Sequence, residues 1–294
     1  MTPAATLLNW YRRNGRNLPW RRTRDPYRIL ISEIMLQQTQ VDRVKEFYRR
    51  WLKTFPTWKN LAEASNADVI HAWAGLGYNR RALALRDIAR HIVQAGVPQS
   101  EEAWLRLKGI GPYTAAALSA FAQKKRTLPI DTNIRRVLGR FLFGIPFPEL
   151  KDDKRILKRT DGFLPRRGHY YDVPQALFDL AAMICTKDPN CARCPLRHTC
   201  KAANKFLSGR VNIPKRSTPA PQEHRHEGKK YPDRIYRGRI LKLVRETGSV
   251  TIENVGKEID PHYDVKQDHE WVHAMIERLV TDGMIKKKKN KLSL

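Results

Sequence analysis

Apolar residues recur at helical spacing along most of this chain, and few segments show the alternation that is typical of strands. Asp25 followed by Pro26 predicts the start of a mostly buried helix, because aspartate caps a helix and proline fits its first turn. The predicted helices of the longer part of the chain span residues 27–36, 41–55, 101–109, 113–126 and 133–143. Residues 1–207 are therefore predicted to form an all-α unit.

The composition changes between residues 208 and 233, where prolines and charged residues replace apolar ones and predict a linker. Helical patterns return at residues 235–246, 252–259 and 270–282, and a short lysine-rich, hairpin-like end follows them. Three helices and a basic hairpin are the outline of a winged helix, which predicts a small winged-helix-like domain over 234–294. The alternative is a three-helix bundle that only contacts the first domain.

The chain is strongly basic, with 56 Lys and Arg against 29 Asp and Glu and a formal charge of +27. The excess extends through the larger part of the chain, which predicts a folded surface that meets a polyanion, with nucleic acid favoured over an anionic membrane. No apolar run reaches the length of a membrane span, and the N-terminus lacks the basic region of a signal peptide. We therefore expect a cytoplasmic protein without a membrane partner.

All four cysteines, at positions 185, 191, 194 and 200, lie within 16 residues. Such clustering in a protein expected in a reducing compartment indicates metal ligation and not a disulfide framework. Their spacing alone leaves an iron–sulfur cluster and a zinc site equally open.

Two carboxylates occupy positions suited to acid–base chemistry. Glu33 is placed among apolar residues, where partial burial would raise its pKa and make it a proton donor near neutrality. Asp131 stands just before a predicted helix, whose free N–H groups favour an ionised carboxylate. The ordinary alternatives are a Glu33 that faces solvent or pairs with arginine, and an Asp131 that only caps its helix. Gly109 and Gly111 form a turn whose backbone N–H groups could bind a phosphate. This turn is a weak signal by itself and gains weight because an acid, Asp131, follows it.

Several short motifs follow one another along the chain. They are LPWR at 18–21, DPY at 25–27, SEIMLQQTQ at 32–40, GLGY at 75–78, LKGIG at 107–111, DTN at 131–133 and MIC at 183–185. In these residues the chain resembles the helix-hairpin-helix DNA glycosylase superfamily, and within it the MutY adenine glycosylases most closely. The resemblance covers about residues 7–207 and implies a two-lobed helical fold with an iron–sulfur loop.

The resemblance implies catalytic roles for four residues. Glu33 would protonate N7 of a flipped adenine, and Asp131 would stabilise the sugar oxocarbenium. Asn133 belongs to the same short motif as Asp131 and is counted with it. Tyr113 stands where the sister family, endonuclease III, has the lysine that forms a Schiff base. Because a phenol cannot form an imine, a monofunctional enzyme is expected.

The resemblance also implies contacts with the base and the DNA. Gln38 would wedge into the vacated space, with Leu36 and Thr39 around it, and Tyr78 would stack beside the opposite base. The full set of predicted contact residues is Trp20, Arg21, Leu36, Gln38, Thr39, Tyr78, Lys108, Gly109, Gly111 and Gln175.

For the cysteines, the resemblance favours a [4Fe–4S] cluster held in the 185–200 loop by Cys185, Cys191, Cys194 and Cys200. The family spacing is six, two and five intervening residues, whereas here it is five, two and five, a difference that a flexible loop should absorb. Zinc is the alternative. MutY chains typically carry a C-terminal domain that reads 8-oxoguanine, and here the predicted winged-helix-like piece stands in its place. Catalysis is therefore better supported than lesion specificity.

The sequence thus predicts a monomeric, nucleoid-associated repair enzyme that acts on double-stranded DNA containing a mismatch or an oxidised base. It would remove adenine opposite 8-oxoguanine or guanine without cutting the strand. The alternatives are a glycosylase for thymine or uracil mispaired with guanine, and a noncatalytic DNA-binding iron–sulfur protein. Retention of both Glu33 and Asp131 argues against the last, since binding alone needs neither.

Overall fold

A computed structural model gives a mostly helical fold, and the residues that it describes are 1–160, 162–214 and 223–294. The helices are α1 (Pro3–Asn14), α2 (Pro26–Leu36), α3 (Val41–Thr54), α4 (Trp58–Glu63), α5 (Asn66–Trp73), α6 (Arg80–Ala95), α7 (Glu101–Leu105), α8 (Pro112–Phe121), α9 (Thr132–Phe143), α10 (Asp153–Thr160), α11 (Val173–Met183), α12 (Ala203–Leu207), α13 (Asp233–Thr247), α14 (Ile252–Ile259) and α15 (Val265–Thr281). The strands are β1 (Ser249–Thr251), β2 (Lys286–Lys288) and β3 (Lys291–Ser293). None of the helices in the described ranges is long and apolar enough to cross a membrane.

The chain folds into two compact units, as the predicted two-lobed fold requires. The first consists of Met1–Gln37 and Val97–Lys215, and the second of Gln38–Gly96 and Arg216–Leu294. The predicted domain 1–207 is therefore divided between the units, because helices α3–α6 group with the C-terminal residues instead of with the rest of that domain.

The first unit has a core in which α11 packs against α1 and α9, while α2 packs against α8. Leu7, Ile134, Leu138 and Leu177 are fully buried in this core. Burial of such a side chain contributes about 1.5–3 kcal/mol, so these contacts fix α9 and α1 against α11. Helices α2, α8 and α9 position the residues of interest.

The second unit combines α3–α6 with the C-terminal elements. Trp51 and Trp73 pack edge to face at 5.3 Å between α3 and α5, and α4 packs against α6. Helices α13, α14 and α15 pack on one another, and an antiparallel sheet of order β1–β3–β2 accompanies them. This order of helices and strands is that of the predicted winged helix. The sheet is the one departure from an all-α chain among the described residues.

Three helix boundaries differ from the sequence prediction by four residues or more. Helix α8 ends at Phe121 and not at residue 126, because Lys124 takes a left-handed backbone (φ +51°) and Lys125 N–H donates to the Ser119 carbonyl. Helix α7 ends at Leu105, four residues before the expected end, because the chain turns there towards α8. Helix α15 begins at Val265, five residues early, because the Asp264 carboxylate caps it.

Part of the predicted linker 208–233 packs against the C-terminal helices. Residues 215–222 of that segment lie outside the described residues, but residues 223–232 contact the C-terminal helices. Lys229 is buried between Asp260 and Asp268, and the His226 ring stacks on Trp271 at 4.9 Å. These buried ion pairs and the ring contact attach the second half of the predicted linker to the winged helix.

Candidate active site

Helix α2 carries Glu33 into the core of the first unit. The helix begins as the sequence predicts, with Pro26 in its first turn and the Asp25 carboxylate accepting from Tyr27 N–H at 2.9 Å. Apolar residues on every side bury most of the helix, and Glu33 is only 6% exposed. The expected partial burial is therefore nearly complete, and no arginine in the described part of the chain forms an ion pair with Glu33.

Tyr113, in the first turn of α8, donates a hydrogen bond from its hydroxyl to Glu33 Oε2 at 2.8 Å. Burial raises the pKa of Glu33 to about 7, and the nearby charge of Asp131 adds to the rise, while the Tyr113 hydrogen bond opposes it. Burial and the neighbouring Glu33 likewise raise the pKa of Tyr113 well above 10. A carboxyl group that titrates near neutrality can hold or release a proton under physiological conditions.

Asp131 caps helix α9, as the ordinary alternative for this residue requires. Its Oδ1 accepts from the backbone N–H groups of Asn133 (2.9 Å) and Ile134 (2.8 Å), and its Oδ2 accepts from Asn133 Nδ2 at 2.6 Å. These hydrogen bonds and the positive end of the helix dipole stabilise a negative charge at this point. The structure therefore brings Glu33, Tyr113, Asp131 and Asn133 together in the first unit, with a protonatable acid near a fixed anion.

The predicted hairpin connects α7 to α8. Gly109 has φ +96°, a left-handed conformation that a side chain would disfavour, and Gly111 is the N-cap of α8. Leu107 and Ile110 are buried beneath the turn, and Lys108 is exposed on it. The turn thus presents a lysine and backbone N–H groups at a helix start, as phosphate contact would require.

Trp20 is buried in the first unit, and Arg21 is half-buried there with a side chain only 8% exposed, instead of both lying on its surface. Both Arg21 and Arg16 pair with Asp179 on α11, with N–O distances of 2.7 and 2.6 Å. Burial acts to raise the pKa of Asp179, but the hydrogen bonds and charges of the two arginines outweigh it and lower that pKa. The geometry gives Arg21 a role in fixing α11, the helix on which Gln175 lies half-buried.

The remaining predicted contact residues lie at or after the end of α2. Leu36 is the last residue of that helix, whereas Gln38, Thr39 and Tyr78 belong to the second unit. Gln38 (φ +56°) and Tyr78 (φ +50°) have left-handed backbones, which cost about 1 kcal/mol or more for residues other than glycine. Both are exposed, Tyr78 by 57%. Strained, exposed side chains of this kind are typical of binding loops.

The four cysteines line a single pocket beside α9, together with Arg140 and apolar residues of the loop. Burial raises the pKa of the Cys194 thiol to about 12, and burial together with neighbouring cysteines raises those of Cys191 and Cys200. Four thiols lining one pocket are the donor set that four-thiolate ligation of a metal cluster uses, but their present arrangement is not that of ligands around one ion. Within residues 1–160, 162–214 and 223–294, no group of three or more His, Cys, Asp or Glu side chains is arranged to hold a metal ion.

Two arginines of α9 that the sequence analysis did not single out connect Asp131 to the cysteine loop. Arg136 donates to Asn133 Oδ1 (3.1 Å) and to the Cys185 carbonyl (2.7 Å). Arg140, which is buried, donates to the Thr186 carbonyl at 2.6 Å and lies 3.5 Å from Cys185 Sγ. Their spacing of four residues, which places both on one helix face, was the available signal.

Comparison with known proteins decides the family. The chain is 36% identical over 249 residues to the adenine DNA glycosylase of Mycobacterium tuberculosis (strain CDC 1551 / Oshkosh), which covers 81% of this chain and 77% of that protein. The chain belongs to the adenine DNA glycosylase family. The adenine DNA glycosylase of Mycolicibacterium smegmatis is likewise 36% identical, over 82% of this chain and 80% of its own length. Membership confirms the resemblance to the MutY enzymes.

Two further comparisons agree with the glycosylase fold. Residues 31–160 match the profile of the HhH-GPD superfamily base excision DNA repair protein. A solved thermostable thymine-DNA glycosylase is 30% identical, with a TM-score of 0.63, and is matched over 69% of this chain and 95% of its own. The matched profile includes Glu33, the hairpin and Asp131.

Proposed function

We propose that this protein is a monofunctional adenine DNA glycosylase of base excision repair. It removes adenine mispaired with 8-oxoguanine or guanine by hydrolysing the N-glycosidic bond. The observation that carries the proposal is the presence of two different carboxyl groups near each other. Glu33 is buried and has a pKa of about 7, and Asp131 is held by hydrogen bonds at the start of α9. One acid and one fixed anion are what cleavage of a glycosidic bond through an oxocarbenium-like transition state needs.

In the proposed reaction, the carboxyl group of Glu33 transfers its proton to N7 of the flipped adenine. The bond between C1′ and N9 then breaks, and its electron pair leaves with the adenine. The Asp131 carboxylate stabilises the cation that develops on the sugar, and Asn133 holds that carboxylate through its side-chain amide. Water adds to C1′ and gives its proton to the carboxylate of Glu33, which the first step left ionised, and an abasic site remains.

Tyr113 supports the monofunctional assignment. Its hydroxyl is committed to Glu33, where it orients the acid, and a phenol offers no amine for a Schiff base. The strand should therefore remain intact after base release.

We further propose that the substrate is double-stranded DNA, bound by a monomeric, cytoplasmic and nucleoid-associated enzyme. The charge of +27 favours contacts with phosphates. The exposed turn with Lys108, Gly109 and Gly111 would contact the backbone. The strained, exposed Gln38 and Tyr78 would contact the DNA by insertion and stacking. Flipping of the adenine is required, because an enzyme cannot reach this bond within the base stack.

We also propose that Cys185, Cys191, Cys194 and Cys200 hold a [4Fe–4S] cluster. Held by these four thiolates, a cluster would cross-link the 185–200 loop, and Arg140 would offset part of its negative charge. Arg136 and Arg140 then tie this loop to α9, the helix that Asp131 caps.

The purified protein should accordingly be yellow-brown and contain about four iron atoms per chain, because four thiolates ligate such a cubane. Replacing Cys194 with serine should remove most of the visible absorbance and iron and lower the thermal midpoint. Metal analysis with absorbance spectroscopy checks this, with Ser208→Ala, outside the pocket, as the control. A colourless protein loaded with zinc would contradict the cluster.

A glycosylase for thymine or uracil mispaired with guanine is the second candidate. The likeness to the thymine-DNA glycosylase at 30% identity and a TM-score of 0.63 favours it. The identity to the adenine enzymes is higher and extends over more of the chain, which favours adenine.

Single-turnover base release from four duplexes tests the proposal: adenine opposite 8-oxoguanine, adenine opposite guanine, thymine opposite guanine and uracil opposite guanine. We expect adenine release from the first two, at least about a hundredfold faster than thymine or uracil release, which reflects pocket contacts worth a few kcal/mol. The product strand should be cut only after alkali. Release of thymine or uracil instead would establish the second candidate, and tight binding without release would establish a noncatalytic protein.

A further inference from the structure

The hairpin that ends the winged helix has an unusual distribution of charge. Its two strands and turn contain five lysines, at positions 286, 287, 288, 289 and 291, and all of them are exposed. The pairing register places Lys288 directly opposite Lys291. Since neighbouring residues of a strand point to opposite faces, Lys286, Lys288 and Lys291 share one face of the hairpin. We call these three side chains the outer lysine face.

The opposite face of the hairpin is attached to the rest of the domain. Lys287 forms an ion pair with Glu277 of α15, and its cross-strand partner Leu292 is fully buried. At the turn, Asn290 donates to Glu253 Oε1 at 3.0 Å and accepts from Ile252 N–H at 3.0 Å. The nearby acids therefore hold the inner side of the hairpin, and the outer lysine face points to solvent.

Like charges directly opposite each other destabilise a strand pair. The pair Lys288 and Lys291, with Lys286 two residues along the same face, therefore costs the protein stability when nothing is bound. A row of anions along this face would remove the repulsion. Helix α15 lacks such an excess, because its exposed residues include Glu270 and Glu277 as well as Lys266 and Arg278.

The hairpin begins next to the loop that carries Tyr78. Asp282 pairs with Arg80, the first residue of α6, and the Gly283 carbonyl accepts from Asn66. Tyr78 precedes Arg80 by two residues and lies close enough to Arg234 of α13 to affect its pKa. All of these residues belong to the second unit, so the hairpin is fixed to the same helices as the Tyr78 loop.

We propose that the outer lysine face binds the phosphate backbone of the duplex on which the enzyme acts, beside the segment contacted by Tyr78. The winged helix then adds affinity through its hairpin. This inference rests on the proposed function, since it takes duplex DNA as the partner. Evenly spaced phosphates match a row of lysines, which release counterions on binding.

The test measures binding of the full-length protein to a fully paired, undamaged duplex by fluorescence anisotropy at a series of salt concentrations. The variant is Lys286→Gln/Lys288→Gln/Lys291→Gln. Each lost phosphate contact should flatten the slope of log affinity against log salt by about 0.9, so we expect a decrease of about 2 to 3. At about 0.15 M salt the affinity should fall about tenfold or more, and the difference should shrink as the salt concentration rises.

Two controls separate this site from a general effect of charge. Lys287→Gln alters the inner side of the same hairpin, and Lys154→Gln/Lys158→Gln/Arg159→Gln removes three charges from α10 in the other unit. Each should flatten the slope by less than about 1. The thermal midpoint of the outer-face variant should equal or exceed that of the parent, because cross-strand repulsion has been removed.

An unchanged slope in the outer-face variant would overturn the proposal, as would an equal decrease in the α10 control. Loss of binding to vesicles containing phosphatidylserine, with DNA binding unchanged, would overturn it in favour of a membrane surface. Undamaged DNA keeps this outcome independent of catalysis. A parent protein that releases no base would refute the proposed function without altering the slopes.

Discussion

Replacing Asp131 with asparagine should lower the single-turnover rate of adenine release by about a hundredfold to a thousandfold, the loss that follows removal of one electrostatic contact to a developing charge. Asparagine removes the negative charge but keeps an oxygen that can accept from the N–H groups of Asn133 and Ile134. Because asparagine caps helices about as well as aspartate, α9 should keep its start. The variant therefore separates the charge of Asp131 from its role as a cap.

The measurement is base release from a duplex with adenine opposite 8-oxoguanine, together with the affinity for the same duplex. Affinity should stay within about threefold of the parent, since the folded structure and the phosphate contacts remain. Asp42→Asn, at an exposed carboxylate in the first turn of α3, is the matched control and should release adenine at the parental rate. A variant at position 131 that kept the parental rate would exclude Asp131 from the chemistry.

Local signals in the sequence were sufficient for the elements that such signals control. The start of α2 was predicted because Asp25 and Pro26 act on the residues next to them, and α14 was predicted with its observed bounds because its apolar residues recur at helical spacing. The end of α8 was not, because residues 122–126 suit a helix and only the left-handed backbone of Lys124 ends it. The start of α15 at Val265 has a local signal, because the Asp264 side chain caps the helix.

Contacts between distant residues could not be obtained from spacing. Lys229 lies 39 residues from Asp268, and nothing near Lys229 indicates that its charge would be buried in a segment that reads as a linker. Tyr113 and Glu33 are 80 residues apart, and their hydrogen bond depends on the packing of α2 against α8. The apolar neighbours of Glu33 in the sequence predicted a raised pKa, but the extent of the burial that causes this rise depends on the fold.

Replacing Glu33 with glutamine should lower adenine release by about 10² to 10⁴-fold, the usual contribution of a general acid. Glutamine has nearly the same shape and can still accept the hydrogen bond from Tyr113. In the parent, only protonated Glu33 can donate. The single-turnover rate of the parent enzyme should therefore fall as the pH rises through about 7, and well above that pH it should fall by about tenfold per pH unit. The residual rate of the glutamine variant should lack this pH dependence.

The same substitution should make the protein more stable at high pH. In the folded protein the pKa of Glu33 is raised from 4.5 to about 7. Glu33 therefore makes its full favourable contribution to the free energy of unfolding below pH 4.5, and this contribution is lost as the pH rises through about 7. At pH 8, ionised Glu33 then costs the folded parent about 3 kcal/mol, a cost that neutral glutamine avoids. Chemical denaturation at pH 4.5 and at pH 8 should therefore show equal stabilities at the lower pH and a more stable variant at the higher one.

Glu46→Gln, at an exposed glutamate on α3, is the control for this pair of measurements. It should keep the parental rate, and its free energy of unfolding should stay within about 0.5 kcal/mol of the parent at both pH values. A Glu33 variant that gained the same stability at both pH values would mean that Glu33 is not held protonated by burial. Since the proposed acid requires that proton, the combined loss of activity and gain of stability above pH 7 is the result that distinguishes a buried catalytic acid from a structural carboxylate.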